Sequence, residues 1–147
     1  MKSKAGIKTR VIERKEVSAE YAVTTVARDG KGGAHYCRQP CKQCPWRADV
    51  PPGVFPPDAF RHSARTAYDM SESGFACHMT SCEAPAWCAG FLLRGAEHNL
   101  SVRLAQMHGR LDMSEVHAAG MPLYADYRAM AEANGVPSDD EALAECR

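Results

Sequence analysis

The sequence predicts a small, mainly α-helical domain with a short β element near its start and two irregular loops. Apolar residues recur at helical spacing through the second half of the chain, as they do on the buried face of a helix. β-branched residues cluster before residue 30 and are followed by glycines, which is typical of strands that end in a turn. Most of the seven cysteines lie in proline-containing stretches that neither helix nor strand accommodates.

Residues 1–35 are predicted to form a basic N-terminal segment with a hairpin or a single strand. β-branched residues lie at 11–12 and 21–26, and glycine-containing pairs at 29–33 supply the turn signal. Residues 1–49 carry 11 Lys and Arg against 5 Asp and Glu, although the whole chain has no net charge. Such a basic end can contact nucleic acid, and a solvated polar face gives the same pattern.

Length and composition indicate one soluble globular domain. The chain has 147 residues, of which 45% are hydrophobic and 24% charged, as in ordinary globular proteins. No apolar run is long enough to cross a bilayer, so we expect no membrane partner. Residues 1–14 are basic but lack the apolar core of a signal peptide. We therefore expect a cytoplasmic protein, and cysteines in that compartment bind metal more often than they form disulfides.

The first irregular loop covers residues 36–57, which hold six of the nine prolines. A helix is predicted to begin at Pro57–Asp58, because proline and an acidic residue suit the first helical turn. This helix is expected to end at Gly74. Its apolar face consists of Phe60, Ala64, Ala67 and Tyr68.

Three more helical stretches follow the second irregular loop at residues 77–88. The first begins around residues 91–93, which read Phe-Leu-Leu. The other two are marked by apolar residues at helical spacing, namely Leu100, Leu104, Met107 and Leu111, then Leu123, Tyr127, Met130 and Ala131. Asn134-Gly135 and Pro137 supply a C-cap and a stop. Residues 36–135 are thus predicted to form a helical cysteine-cluster domain, and residues 136–147 an acidic tail that frays.

Cys41 and Cys44 form a C-x2-C knuckle, a spacing that turns two sulfurs toward one ion. Tetrahedral zinc needs four ligands, and a cubane iron–sulfur cluster usually takes four cysteines. The other cysteine-rich part of the chain is the stretch 77–88. The sequence therefore predicts a metal centre that joins the two loops. The competing interpretation is a set of buried, inert cysteines, which suits Cys146 in the acidic tail.

Further donors lie close to the predicted centre. Cys37 and Cys82 are reserve ligands. His78 adjoins Cys77, so we expect both residues not to bind one ion and His78 to be a satisfied polar side chain near the site.

Trp46, Arg47 and Trp87 flank the predicted ligands and are candidate cofactor-binding residues. The two tryptophans can exclude water from the centre, or they can be core residues without such a role. Arg47 can offset the negative charge of a four-thiolate site, or it can be a surface arginine.

The segment Cys41-Lys-Gln-Cys44-Pro45-Trp46-Arg47 resembles a family of small proteins of bacteria and bacteriophages that has no assigned activity. The resemblance continues through Pro51 to Pro56, the Cys77-His78 pair and the Cys-Ala-Gly sequence at 88–90. It covers about residues 38–95. It implies that the metal ligands are Cys41, Cys44, Cys77 and Cys88.

The same segment is similar, more weakly, to that of WhiB-like regulators, which hold an iron–sulfur cluster on four cysteines and contain C-x2-C-P-x-R. Residues 48–55 lack the further cysteine that those regulators place after the motif. The chain also lacks their glycine- and tryptophan-containing turn.

The sequence is most consistent with a non-catalytic binding or regulatory module, in which a zinc site joins two metal-stabilised loops and the partner is a protein. One alternative is a [4Fe–4S] redox or sensor protein that uses the same cysteines. Another is a dithiol oxidoreductase that uses Cys41 and Cys44, but the prolines beyond the knuckle oppose the helix N-terminus that a redox C-x2-C needs. No Ser-His-Asp set, phosphate loop or His-x3-His pair indicates a hydrolase.

Overall fold

The computed structural model of the chain describes residues 8–16, 22–29, 35–80 and 85–147. This described part is small and mostly helical with few strands, in agreement with the mainly α class. Cys82 and the glycine turn signals at 30–33 lie outside the described residues.

Two antiparallel strands, β1 (Lys8–Glu16) and β2 (Ala22–Asp29), lie in the segment for which a hairpin or a single strand is predicted. Lys8 pairs with Asp29 at one end of the ribbon, and the register shifts between Val11 and Glu13. Such a shift places an extra residue in one strand, which bends a two-stranded ribbon locally.

Helix α1 (Pro57–Ser63) continues as a 3₁₀ turn over Ala64–Ala67. The helix that the sequence predicts up to Gly74 is therefore too long. Tyr68 leaves the turn in an extended conformation, and its backbone bridges to Cys146. Pairing with the C-terminal segment thus replaces the further helical turns that the apolar spacing suggests.

Helices α2 (Ala89–Arg94) and α3 (Leu100–Met107) follow the second loop. The apolar face predicted for α3 is wrong, because Leu104 is 38% exposed and Met107 is 78% exposed. The buried residues of this helix are Val102 and Ala105. Small side chains therefore face the core, and the larger ones face solvent.

Asn99 sets the start of α3. Its side-chain oxygen accepts from the Val102 amide at 3.1 Å, which caps the helix. Its amide nitrogen donates to the carbonyls of Thr66 and Ser73 at 3.1 and 2.7 Å. The Asn99 side chain is 1% exposed, so these bonds fix the first turn of α3 against the segment that follows α1.

Helix α4 (Tyr127–Ala133) buries Tyr127, Met130 and Ala131, three of the four positions predicted for its core face. Leu123 precedes the helix. Asn134 caps the C-terminus and Gly135 has a φ of +96°, as the sequence predicts.

Residues 136–147 are packed, and the expectation that this acidic segment frays is wrong. Val136, Leu143 and Cys146 are all at most 6% exposed. Asp140 accepts from the Arg61 guanidinium of α1 at 2.8 Å. The other acidic side chains of the segment, Asp139, Glu141 and Glu145, are exposed.

The core lies between the C-x2-C knuckle, helices α2 and α4, and the C-terminal segment. Its largest fully buried apolar side chains are Trp46, Tyr127, Phe91, Met130 and Leu143. Among the described residues, none of the helices combines the length and the apolar character that spanning a bilayer demands.

Candidate metal centre

Three extended segments, 35–37, 75–77 and 86–88, carry Cys37, Cys77 and Cys88 and are joined by backbone hydrogen bonds. The 86–88 segment lies in the middle, because its residues bond to both of the others. The four bonds are Cys37 N to Trp87 O (2.9 Å), Trp87 N to His35 O (2.9 Å), Cys77 N to Ala86 O (2.7 Å) and Cys88 N to Phe75 O (2.9 Å). Three cysteines that are distant in sequence are thereby held in one small area.

The knuckle supplies the remaining two cysteines of the cluster. Backbone bonds from Cys44 N to Cys41 O (3.3 Å) and from Arg47 N to Cys44 O (3.0 Å) close its turn. The Arg47 guanidinium donates to the carbonyls of Cys41 and Lys42 at 3.3 and 3.2 Å. It also forms a two-point ion pair with Asp49, both contacts being 2.8 Å. Arg47 therefore braces the knuckle from outside, between its carbonyls and a fixed carboxylate.

Cys41, Cys77 and His78 form a group that can hold a metal ion, since their ligand atoms all lie within 4.8 Å of one another. The Cys41 sulfur and the His78 Nδ1 are 3.9 Å apart. Cys77 and His78 are therefore close enough to bind one ion together, and the expectation that they do not stays a prediction. The Phe55 ring packs edge-on against the His78 ring at 5.2 Å, so the proline-rich loop contacts one side of this exposed histidine.

Cys44 and Cys88 form a second close contact, with their sulfurs 3.4 Å apart. The two residues are 0% and 3% exposed. Cys37 lies beside the first group, because its sulfur interacts with that of Cys77 and, less strongly, with those of Cys41 and Cys44. The four ligands implied by the family resemblance thus form two close groups, Cys41 with Cys77 and Cys44 with Cys88. The knuckle turn links these groups into one cluster, and Cys37 and His78 lie beside the first group.

Burial and mutual repulsion shape the acidity of these thiols. Burial, reinforced by Cys77, raises the pKa of Cys37 to about 12. Burial is also the main reason that the pKa of Cys41 rises to about 11, with Cys77 and Cys44 adding to it. Thiols with such raised pKa values stay protonated at neutral pH, and a metal ion would have to displace these protons by stabilising the thiolate form.

The pKa values of the buried pair, Cys44 and Cys88, are shifted in opposite directions. The hydrogen bond from the Cys88 thiol lowers the pKa of Cys44 to about 7, against the effect of burial and with help from nearby backbone N–H groups. The same bond, together with burial, raises the pKa of Cys88 well above its usual value. His78 has a lowered pKa because it is partly buried, so its imidazole is neutral near pH 7 and able to bind a metal.

Trp46 lies in the core next to the knuckle and packs along α2. Its ring is fully buried and makes edge contacts with Phe75 and Tyr127, at centroid distances of 5.8 and 5.7 Å. A β-carbon added to Gly90 would lie 2.3 Å from the Trp46 β-carbon, and one added to Gly95 would lie 2.4 Å from the far edge of the ring. Glycine at both positions is what lets the tryptophan approach the helix.

Trp87 places its ring over Gly74, where an added β-carbon would lie 2.2 Å from the indole nitrogen. Its backbone supplies two of the bonds that join the cysteine segments. Cys146, in contrast, is buried away from the cluster and lies 3.7 Å from the Ala64 carbonyl. The interpretation of Cys146 as a buried cysteine outside the site agrees with this position.

Two members of the cluster, Cys37 and His78, are not among the four ligands that the sequence predicts. Cys37 is a reserve ligand in the sequence although it precedes the knuckle by four positions, in a C-x3-C-x2-C run. His78 is ranked low because it adjoins Cys77. Both residues join the cluster because the 35–37 and 75–77 segments pair with the 86–88 segment. This pairing is between residues distant in the chain, so no local sequence pattern predicts it.

Comparison with known proteins gives a family and no activity. Residues 36–147 match a protein family described as a family of unknown function, DUF6283. No curated protein and no solved structure matches the chain. The bacterial or bacteriophage origin and the likeness to WhiB-like regulators stay predictions.

Proposed function

The chain belongs to the DUF6283 family of unknown function, and we propose that it is a zinc-binding, non-catalytic module whose metal centre joins two irregular loops. The observation that carries this proposal is the group of ligand atoms of Cys41, Cys77 and His78 within 4.8 Å of one another. Thiolate and imidazole are the donors that zinc prefers in proteins. Cys44 and Cys88, the other two ligands implied by the family resemblance, lie in the same cluster.

The spacing of the sulfurs supports zinc over an iron–sulfur cluster. Two sulfurs bound to one zinc at about 2.3 Å in tetrahedral geometry lie about 3.8 Å apart, and the Cys44 and Cys88 sulfurs are 3.4 Å apart. The cysteines of a cubane bind different irons, so their sulfurs must be separated much more widely than van der Waals contact. A [4Fe–4S] redox or sensor protein remains the alternative proposal and requires this pair to open.

A structural role follows from what the described elements lack. The longest helix of the described residues, α3, has eight residues, and isolated helices shorter than about 12 residues are marginal in water. The three cysteine segments are joined by four backbone bonds instead of a regular sheet. Binding of structural zinc supplies roughly 10–16 kcal/mol, which is enough to hold such segments together.

The third candidate function, a dithiol oxidoreductase using Cys41 and Cys44, has less support. A nucleophilic cysteine must be accessible as a thiolate. Cys44 has a lowered pKa, but it is 0% exposed. Because Cys44 is fully buried, a substrate disulfide cannot reach its sulfur.

The partner is proposed from what surrounds the centre. We propose a cytoplasmic protein partner. A metal ion with four protein ligands has no free position to bind a partner, so the partner would bind the protein surface around the site. The basic N-terminal segment makes nucleic acid the second proposed partner, through its excess of Lys and Arg. No membrane partner is proposed.

The test is metal analysis and chelation on protein purified without oxygen. We expect colourless protein that contains zinc and loses its helical circular dichroism when a strong chelator is added, with a melting temperature lower by more than about 10 °C. Cys146→Ser is the matched control, because this buried cysteine lies outside the cluster and its variant should keep its zinc. Brown protein with iron and sulfide would favour the iron–sulfur alternative, and an unchanged spectrum after zinc removal would exclude a structural metal.

A further inference from the structure

The donors of the cluster belong to two sets that differ in depth and in their contacts. The outer set is the Cys41, Cys77 and His78 group, whose ligand atoms lie within 4.8 Å of one another. The inner set is the pair of Cys44 and Cys88, which are 0% and 3% exposed and whose sulfurs are 3.4 Å apart. Zinc in a structural site takes four protein ligands, so the outer set needs one more donor.

The inner pair is satisfied by hydrogen bonds. Its two thiols share the bond across 3.4 Å. The Cys44 sulfur also accepts from the backbone N–H groups of Trp46 and Arg47. The Cys88 sulfur accepts from the backbone N–H of Gly90. Each of these sulfurs therefore has partners of its own in the core, as a buried cysteine outside a metal site can have.

Cys37 is the remaining cysteine beside the outer set among the described residues. Its sulfur hydrogen-bonds with that of Cys77 and also interacts with that of Cys41. The 86–88 segment fixes the backbones of Cys37 and Cys77 through bonds of 2.9 and 2.7 Å, one on each of its sides. Cys37 is only partly buried, so its side chain has room to turn the sulfur from Cys77 toward an ion in the outer set.

His78 is placed for the same ion. Its Nδ1 is 3.9 Å from the Cys41 sulfur, and a sulfur and a nitrogen on one tetrahedral zinc lie about 3.6 Å apart. The Phe55 ring packs against one side of the imidazole and restricts its orientation. A small closure of the outer set around an ion therefore brings both donors to zinc distance.

We infer that the zinc ion is single and that its four ligands are Cys37, Cys41, Cys77 and His78. The inner pair, Cys44 and Cys88, lies deeper in the core as two hydrogen-bonded cysteines that do not bind the ion. This inference rests on the proposed zinc function and deepens it, because it exchanges two of the four ligands that the family resemblance implies. An imidazole among the ligands favours zinc in its own right, since a cubane cluster usually takes four cysteines.

The first experiment is X-ray absorption spectroscopy at the zinc edge on the full-length chain, after loading with zinc alone and removal of the excess. We expect three sulfurs at about 2.3 Å and one nitrogen at about 2.0 Å, with the multiple scattering that an imidazole ring gives. A spectrum without imidazole, such as that of four sulfurs, would overturn the inference and leave the zinc module intact. Only two sulfurs would overturn it as well, because Cys37 would then not be a ligand.

The second experiment identifies the ligands by competition with a coloured chelator. Cys37→Ser and His78→Asn should each weaken zinc binding by at least about tenfold, the lower end of what even outer-shell changes cost. Cys88→Ala is the matched control and should leave the affinity unchanged, because alanine suits a buried apolar place. Unchanged affinity in Cys37→Ser or His78→Asn would overturn the inference.

A tenfold loss in a Cys88→Ala chain that keeps its helical circular dichroism would also overturn the inference, because the inner pair would then bind the ion. If that variant does not fold, the number of sulfurs around zinc in the wild type decides. Protein that takes up no zinc, or that carries iron and sulfide, overturns both this inference and the proposed function. The two failures are therefore distinguishable.

Discussion

Gly90 lies so close to Trp46 that a β-carbon on the glycine would approach the β-carbon of the tryptophan to 2.3 Å. The C-P-W-R sequence thus provides the indole, and the C-A-G sequence provides the space for it. It also joins the knuckle to the first turn of α2, where Cys88 is the N-cap residue.

The first prediction is that Gly90→Ala destabilises the protein by about 1–3 kcal/mol. In an open helix position the same change would stabilise the protein by up to about 1 kcal/mol. A loss of stability would therefore show that the added methyl group clashes with Trp46. The Trp46 β-carbon is attached to the backbone and cannot rotate away. Urea unfolding of the zinc-loaded protein measures the effect, with Arg103→Ala on the exposed side of α3 as a control that should stay within about 0.5 kcal/mol. An increase in stability would contradict the contact.

The second prediction concerns Gly95, at the other end of α2. A β-carbon there would lie 2.4 Å from Cη2 of Trp46, and Trp46→Phe removes that atom. Gly95→Ala should therefore cost at least about 1 kcal/mol in the wild type and clearly less in a Trp46→Phe background, as overpacking does when its partner is removed. A double-mutant cycle gives the coupling. Equal costs in both backgrounds would mean that the ring edge does not limit this position.

The third prediction is that Asn99→Asp destabilises the protein and makes its stability depend on pH. The aspartate keeps the cap acceptor but loses the amide that donates to Thr66 and Ser73, and it aims a buried carboxyl at two carbonyls. Burial raises the pKa of that carboxyl above its unfolded value of about 3.9. The penalty should be small at acid pH and grow as pH rises through this value, reaching about 2–4 kcal/mol near neutrality.

The measurement is urea unfolding at a series of pH values. Asn99→Ser, which retains a cap acceptor without a charge, is the matched control and should lose stability by an amount that does not change with pH. A parallel fall with pH in both variants would show that the introduced charge is not responsible.

The fourth prediction is that Arg47→Lys weakens zinc binding by about tenfold, the lower end of what outer-shell changes cost. Lysine keeps the charge but cannot bond at once to Asp49 and to the carbonyls of Cys41 and Lys42. Affinity is measured by competition with a coloured chelator. Arg61→Lys, which alters an ion pair of α1 with Asp58 and Asp140, is the matched control and should leave zinc affinity unchanged. Equal affinities for wild type and Arg47→Lys would mean that charge alone matters at this position.

The sequence predicts helix α4 well because everything that defines this helix is local. Asp126 caps its start, the apolar residues repeat at helical spacing, and Asn134-Gly135 ends it. Helix α3 also lies where it is predicted, but its buried face is set by neighbours distant in the chain. Leu104 and Met107 fit the helical spacing as well as any core residue does, so periodicity cannot reveal that solvent lies on their side.

The candidate site was predictable only in part for the same reason. The spacing of Cys41 and Cys44 and the family resemblance point to the cluster. The place of His78 depends on the proline-rich loop, whose Phe55 packs on its ring. Phe55 and His78 are distant in the chain, and no pattern in a single sequence predicts that their rings pack together.

The pairing of the 86–88 segment with two distant segments also bears on how fast the chain folds. Cys44 and Cys88 are 44 positions apart, and Cys41 and His78 are 37, so the cluster forms only after long loops have closed. Contacts between residues so far apart in the sequence slow folding, because the entropy of closing the loop is lost before the contacts form. The Cys41–Cys44 turn is local and available from the start. An ion captured there early would give the later segments a point of attachment, and the folding rate would then rise with the concentration of free metal.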